Sequence, residues 1–538
     1  MVVAFAYQPL ATLAVAWILA VSYGWGKLAR ERLALEIESP ASDLGLSIAT
    51  GLGLLVCVLF VAGLAGGLRV GVLAALLTAG SVVARRQIAA LPATLRAMHA
   101  RWRQSLNEAD ALLSLFVPAA VVLLGCGLMV ALAPTVTFDS LRTHLPAAQY
   151  YAQQHALRPV PGIDYTYYPQ GFELLMTLAF ALAGQPGAQI LAAAMFALLL
   201  LLGWSIAREC GAGHAGAAIG VVLAGSVPFL HWTAVNPKND VPLAAFQLGA
   251  LLAYLHARRT GCFRWTLVAA FLLASSFGVK HVALFGAVPL GLLFVRSAIA
   301  ARTPVRALAA LALVLVVFGT FWHVRTFVLT GNLVYPSVSR VPLETAAFDP
   351  EFSLEAKLKK YLVWPWSIHF DGIPSFESVS SNPMGIALVV LAPLFLLVRG
   401  PAGAVWPVVF YCAFSLFYWV GYWPVLRYAI APLTVLLVLA GPRLVALYEG
   451  SGVVMRASLL AACAHVLLFA LCLTLILEVN APQFQYFARR IDRDRYLREV
   501  LPPTAPLLFL RGRAGPDDGI LAVDACPDAY APHPGRLS

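Results

Sequence analysis

The chain has 538 residues, of which 60% are apolar and 12% charged, with a mean hydropathy of +0.80; soluble domains run at about 45–50% apolar and about 25% charged. The apolar residues fall in uncharged blocks of about 16–24, and a helix needs about 20 to cross a bilayer. This excludes a soluble enzyme, a secreted disulfide scaffold and a disordered chain, and the absence of short alternating strands excludes a β-barrel. The net charge of +11, from 37 Lys and Arg against 26 Asp and Glu, reads as basic cytoplasmic loops and not as nucleic-acid binding.

In chain order the expected spans are 9–24, 44–65, 70–84, 111–133, 188–207, 214–232, 241–257, 265–280, 282–298, 306–328, 384–399, 404–420, 425–446 and 457–479, about 14 in all. The fold class is therefore an all-α polytopic membrane protein. Segment 172–183 is apolar but only about 12 residues long, so it is expected to lie in the interface or to re-enter. The eight cysteines contain no CxxC pair, and no disulfide framework or zinc site is expected. No basic residues precede the first apolar block, which argues against a cleavable signal.

Lys and Arg in short loops set the orientation. Lys27, Arg30 and Arg32, the Arg85–Arg103 group, Arg208, Arg258, Arg259 and Arg264, then Arg296 to Arg306, Arg399, Arg443 and Arg456 all follow alternate spans. Placed in the cytoplasm, they leave both termini outside, together with two large outer loops at about 134–187 and 329–383. The tail from 480 is also placed outside. Its Arg489, Arg490, Arg493, Arg495 and Arg498 oppose that assignment, and the interleaved Asp492, Asp494 and Glu499 suit a solvated helix face. Three divisions follow: 1–110 with extra helices and a basic inner loop at 85–110, a membrane core over 111–479, and a tail over 480–538. No Walker sequence is present, which argues against an ATP-driven pump.

The chemistry-bearing residues gather at the outer ends of spans. Asp139 lies about six residues past span four, where a partly desolvated carboxylate gains basicity. It also suits the cap of a helix over Ser140–Tyr151. The same loop carries His144, Tyr168 and Glu173, and its tyrosines also suit an interfacial belt. Lys238 and Asp240 stand in the turn Asn236-Pro237-Lys238-Asn239-Asp240, where Asp240 reads equally as a helix-start acid. Lys280, Arg325 and Arg427 fall at the outer rim and together form a cationic collar matched to a phosphate; singly, each reads as a headgroup anchor.

The ordered run Asp139…His144-Leu145-Pro146…Tyr168-Pro169-Gln170-Gly171…Glu173, then Lys238-Asn239-Asp240, Lys280, Trp322-His323-Val324-Arg325…Gly331-Asn332-Leu333-Val334-Tyr335-Pro336 and Arg427-Tyr428 resembles the GT-C membrane glycosyltransferases over about residues 111–500. Protein O-mannosyltransferases and lipid A aminoarabinose transferases share this plan. The resemblance implies a bacterial inner-membrane enzyme with an outward active site and a polyprenyl-phosphate-sugar donor. It implies a lipid or glycan acceptor and an acidic base at the end of the first core span, here Asp139. Many members carry two adjacent acids there, whereas this chain has Asp139 followed by Ser140. Some relatives use a divalent cation, which leaves the cofactor open. The competing readings are a lipid-linked saccharide transporter or flippase, although no internal repeat supports one, and a structural subunit of an envelope-assembly complex.

Overall fold

The structure, a computed structural model, describes residues 2–107, 111–335, 405–422 and 425–502, with scattered positions between 355 and 398 and between 505 and 509. Most of the expected span 384–399, of the loop 329–383 and of the tail lies outside the described residues. Those residues form helices α1 (Val2–Tyr7), α2 (Pro9–Arg32), α3 (Pro40–Leu64), α4 (Val70–Val83), α5 (Arg85–Asn107), α6 (Ala111–Leu132), α7 (Leu145–Gln154), α8 (Gly171–Glu209), α9 (His214–Ser226) and α10 (Pro228–Val235). They continue as α11 (Asp240–Thr260), α12 (Phe263–Phe277), α13 (Leu284–Ala300), α14 (Val305–Thr330), α15 (Val405–Tyr422), α16 (Ile430–Glu449), α17 (Val453–Glu478), α18 (Ala481–Phe487) and α19 (Arg493–Val500). No strand occurs among the described residues.

Among the described residues, eight helices are long and apolar enough to cross a membrane, or up to 10 if each of two bent pairs counts as one span. The expected number of about 14 is not confirmed: several apolar runs form short or mixed helices, and most of the expected span 384–399 lies outside the described residues. α12 has only 15 residues, and α11 carries Asp240, Arg258 and Arg259 at its ends. Two bends were not foreseen. α4 and α5 meet at 77°, and α9 and α10 meet at 76° where Pro228 opens the second helix. The segment expected as the loop 85–110 is helical over Arg85–Asn107, with its aliphatic residues Ile88, Leu91 and Met98 partly covered and its arginines exposed.

Segment 172–183 is the one expected to lie in the interface or to re-enter. It is the first half of α8, which breaks at Ala183 and Gly184 (φ +67°) before Pro186. Phe172 to Ala179 are buried in the main core instead of lying on a bilayer surface. The cause is a close approach at Gly171: its N–H donates to the Gly278 carbonyl at 2.8 Å, and a Cβ there would meet that oxygen at 2.6 Å.

Lipid tails supply no hydrophobic drive between helices, so backbones must approach closely to gain packing. α9 and α16 do so through Gly216 and Gly220, a small-xxx-small pair facing Val438 and Gly441. A Cβ on Gly220 would come within 2.1 Å of the Val438 carbonyl, and one on Gly441 within 2.2 Å of the Gly216 carbonyl.

The turns sort onto two faces. On one face, Tyr7 donates to the Phe487 carbonyl at 3.3 Å, Arg493 donates to Gln185 at 2.6 Å, and Leu68 N–H donates to the His155 carbonyl at 2.9 Å. The start of the chain, the Arg-rich tail helix and the first outer loop therefore share a side. The tail is a capped helix: Asp492 accepts from Arg495 N–H, while Tyr496 and Leu497 are buried. On the other face, Glu209 pairs with His256 and Arg259, and Arg264 donates to the Leu33 carbonyl. The basic turns gather there, and the positive-inside rule makes that face the expected cytoplasmic one. A cysteine at Gln153 is expected to react with an impermeant thiol reagent in intact cells, and one at Arg96 is not, in a background lacking the exposed Cys472. The opposite labelling pattern would invert the orientation.

Candidate active site

The site begins where α6 ends. After Leu132 the chain runs through Thr135 and Thr137, whose hydroxyls donate to the Asn236 side-chain oxygen at 3.1 and 3.3 Å. These bonds stitch the start of the first outer loop to the turn between α10 and α11. Asp139 and Asp240 consequently lie on adjacent turns although 101 positions separate them.

Asp139 precedes a wide π-type turn, Ser140–His144, that leads into α7. Such turns redirect side chains and recur at functional sites. The Asp139 side chain makes no cap bond. It accepts instead from Arg427 Nη1 at 2.6 Å and lies 3.6 Å from Lys238 Nζ. Its main-chain oxygen takes the Thr143 hydroxyl at 2.6 Å. The carboxylate is thus anchored by charge, remains 19% exposed, and is open enough to meet another molecule.

Asp240 is the first residue of α11 and is only 1% exposed. The N-cap residue before it, Asn239, makes no side-chain cap bond. The Asp240 carboxylate accepts from Lys280 Nζ at 2.7 Å, and the same ammonium donates to Asn239 at 3.2 Å. Burial pulls the Lys280 ammonium down, but the charge and hydrogen bond of Asp240, with Tyr428 beside them, together hold Lys280 above its ordinary value. Lys280 Nζ lies 4.9 Å from the Tyr428 ring centre, and the Arg427 guanidinium lies 5.6 Å from the same ring. Tyr428 therefore lies within cation–π reach of both cations.

A third pair backs these two. His144 Nδ1 lies 2.7 Å from Glu173 Oε1, and Asn239 Nδ2 donates to that same oxygen at 3.3 Å. Glu173 is 1% exposed, and its other oxygen has no hydrogen-bond partner among the described residues. Asn239 is the hub that joins Glu173 to Lys280, and sequence reasoning singled out its neighbours without it. Its position between Lys238 and Asp240 was the available signal. Trp232 was missed as well: Lys238, 2% exposed, lies 4.4 Å from its ring centre.

Among the residues expected in the site, Asp139, Lys238 and Arg427 form one group, and Asp240 and Lys280 form a second. His144 and Glu173 join the second group through Asn239. Arg325 is held elsewhere by its direct bonds: it is 6% exposed and donates through Nη1 to the Thr166 carbonyl at 3.2 Å. The neighbouring Thr326 hydroxyl donates to the Tyr167 carbonyl at 2.6 Å. The outer end of α14 thus braces the 164–168 turn. Tyr168 packs its ring edge-on against His281 at 4.8 Å, and His281 against His323 at 5.1 Å. Among the described residues no three of His, Cys, Asp and Glu gather as a metal would require.

No family model matches the chain, and no curated protein matches it. Solved structures similar to it include two of one protein. ArnT from Cupriavidus metallidurans bound to undecaprenyl phosphate is 15% identical with a TM-score of 0.47, over 79% of this chain and 85% of that one. The same protein in the apo state is 15% identical with a TM-score of 0.45, over 78% and 84%.

Proposed function

We propose that the chain is a GT-C-type membrane glycosyltransferase. It moves a sugar from a polyprenyl-phosphate donor to a lipid or glycan hydroxyl at the outer face of a bacterial inner membrane. The observation that carries this reading is one carboxylate, Asp139, set against Arg427 and Lys238 at the ends of membrane helices, beside a second cation, Lys280. A lipid-borne phosphate sits at the depth of these helix ends, because its chain stays in the bilayer and its head does not.

In the reaction the Asp139 carboxylate takes the proton of the acceptor hydroxyl. The acceptor oxygen attacks the anomeric carbon from the side opposite the phosphate, and the bond from that carbon to the phosphate oxygen breaks. Configuration inverts. A hydrolase of inverting type uses a second carboxyl group to protonate its leaving group. Here the leaving group is an anionic phosphate, which calls for positive charge in place of a proton. Arg427 has five N–H donors, so it can keep one on Asp139 and offer others to the phosphate. Lys280 adds charge across the Tyr428 ring. The Asp240, Asn239, Glu173 and His144 network fixes Lys280 and the loop that carries Asp139.

The test is direct. Purified protein is presented with a panel of polyprenyl-phosphate sugars and an envelope-lipid extract. Release of free polyprenyl phosphate, with the sugar appearing on an acceptor, supports the reading. Movement of intact lipid-linked sugar across vesicles without release would make the chain a flippase and sink it.

A further inference from the structure

A second charged locus lies on the opposite face from the catalytic cluster, at the elbow where α4 meets α5. A cavity of about 480 Å³ opens there. Its rim carries Arg32 from the end of α2 and Arg85 and Arg86 from the first turn of α5; its floor is Leu28, Val82 and Val83. Val82 and Val83 are 59% and 67% exposed, a large apolar surface at the last turn of a membrane helix. The one acid on the lining, Glu31, is already held by Gln87 Nε2 at 2.6 Å. Among the described residues the guanidinium groups of Arg32, Arg85 and Arg86 make no hydrogen bond or ion pair within the protein.

The local sequence sets this charge. From 84 to 107 there are five arginines and neither Asp nor Glu. α5 turns 77° away from α4, so its arginines do not continue the line of the apolar α4. Its partly covered residues Ile88, Leu91 and Met98 sit against the protein, and Arg96, Arg101 and Arg103 are exposed. A basic helix laid in the interface this way attracts anionic headgroups.

We infer that the elbow of α2, α4 and α5 is a binding site for one anionic phospholipid of the inner leaflet. The headgroup phosphate lies among Arg32, Arg85 and Arg86, and an acyl chain runs down over Val82 and Val83. The exposed valines decide for a lipid over a free phosphate, since an inorganic anion gains nothing from them. The inference does not depend on the glycosyltransferase reading, and its failure would leave that reading untouched.

The experiment uses the full chain in phosphatidylcholine nanodiscs, with bound lipid counted by native mass spectrometry as phosphatidylglycerol is titrated in. One phosphatidylglycerol is expected to be retained in preference to phosphatidylcholine. Each arginine near a membrane surface contributes about 5-fold in affinity, so the double variant Arg85→Gln, Arg86→Gln is expected to bind about 25-fold more weakly. Glu31→Gln removes the opposing charge and is expected to bind more tightly, a gain that a damaged fold would not produce. Inorganic phosphate in the millimolar range is expected not to displace the lipid. Equal retention by the double variant would overturn the inference, as would no gain for Glu31→Gln. Equal retention of phosphatidylcholine would overturn it too, and displacement by phosphate alone would reduce the locus to a simple anion site.

Discussion

Replacing Asp139 by Asn is expected to lower sugar transfer by about 10²–10⁴-fold, the usual worth of a general base. Asn keeps the side-chain length and still accepts a hydrogen bond from Arg427 through its carbonyl oxygen, so the site keeps its shape. It cannot accept a proton from the acceptor. Donor binding, measured separately with a labelled polyprenyl phosphate, is expected to change little because the cations remain. Near-normal turnover in this variant would show that Asp139 is not the base. Asp240→Asn is the comparison. Its carboxylate is 1% exposed and bonded to Lys280, which places it away from any acceptor proton. A turnover loss confined to Asp240→Asn in a folded protein would assign the base to the other acid.

The second large effect concerns stability. Lys280→Met is expected to destabilise the protein by about 3–5 kcal/mol, since it leaves the buried Asp240 carboxylate without its nearest counter-charge. Thermal unfolding in detergent would show this as a clear drop in midpoint. The double variant Lys280→Met, Asp240→Asn is expected to recover most of the loss, because the stranded charge is then gone. A single variant as stable as the parent would mean that Asn239, Lys238 and Arg427 already satisfy Asp240. Failure of the second substitution to restore stability would mean that Lys280 acts through its packing on Tyr428 and not through its charge.

The elements were more legible than their neighbours. The expected span 111–133 matches the helix Ala111–Leu132, and 306–328 matches Val305–Thr330, because a long apolar run carries its own length. The bends were legible only in part. Val227-Pro228 marks one, but nothing in the alanine at 84 announces a 77° turn. The burial of Phe172–Ala179 was hidden because an apolar run of that length looks the same against lipid and against protein. The site residues were visible singly, as charges at the ends of apolar runs. Their partners were not. Arg427 reaches Asp139 across 288 positions, and hydropathy says nothing about which helix ends are neighbours. Both acids offered a helix-cap reading. Asp139 makes no cap bond and turns its carboxylate to Arg427, whereas Asp240 does begin α11 and also takes Lys280.

Three successive residues of the α10–α11 turn serve three different addresses. Lys238 faces Asp139, Asn239 reaches Glu173 and Lys280, and Asp240 takes Lys280, while Asn236 ties the turn to the end of α6. Loss or gain of a single residue there would shift every one of these side chains to the wrong address at once, although the turn is short and lies between helices. In a chimera with a relative of different specificity, this turn has to travel with positions 139, 173, 280 and 427 as one cassette. The outer loops around it can be exchanged separately.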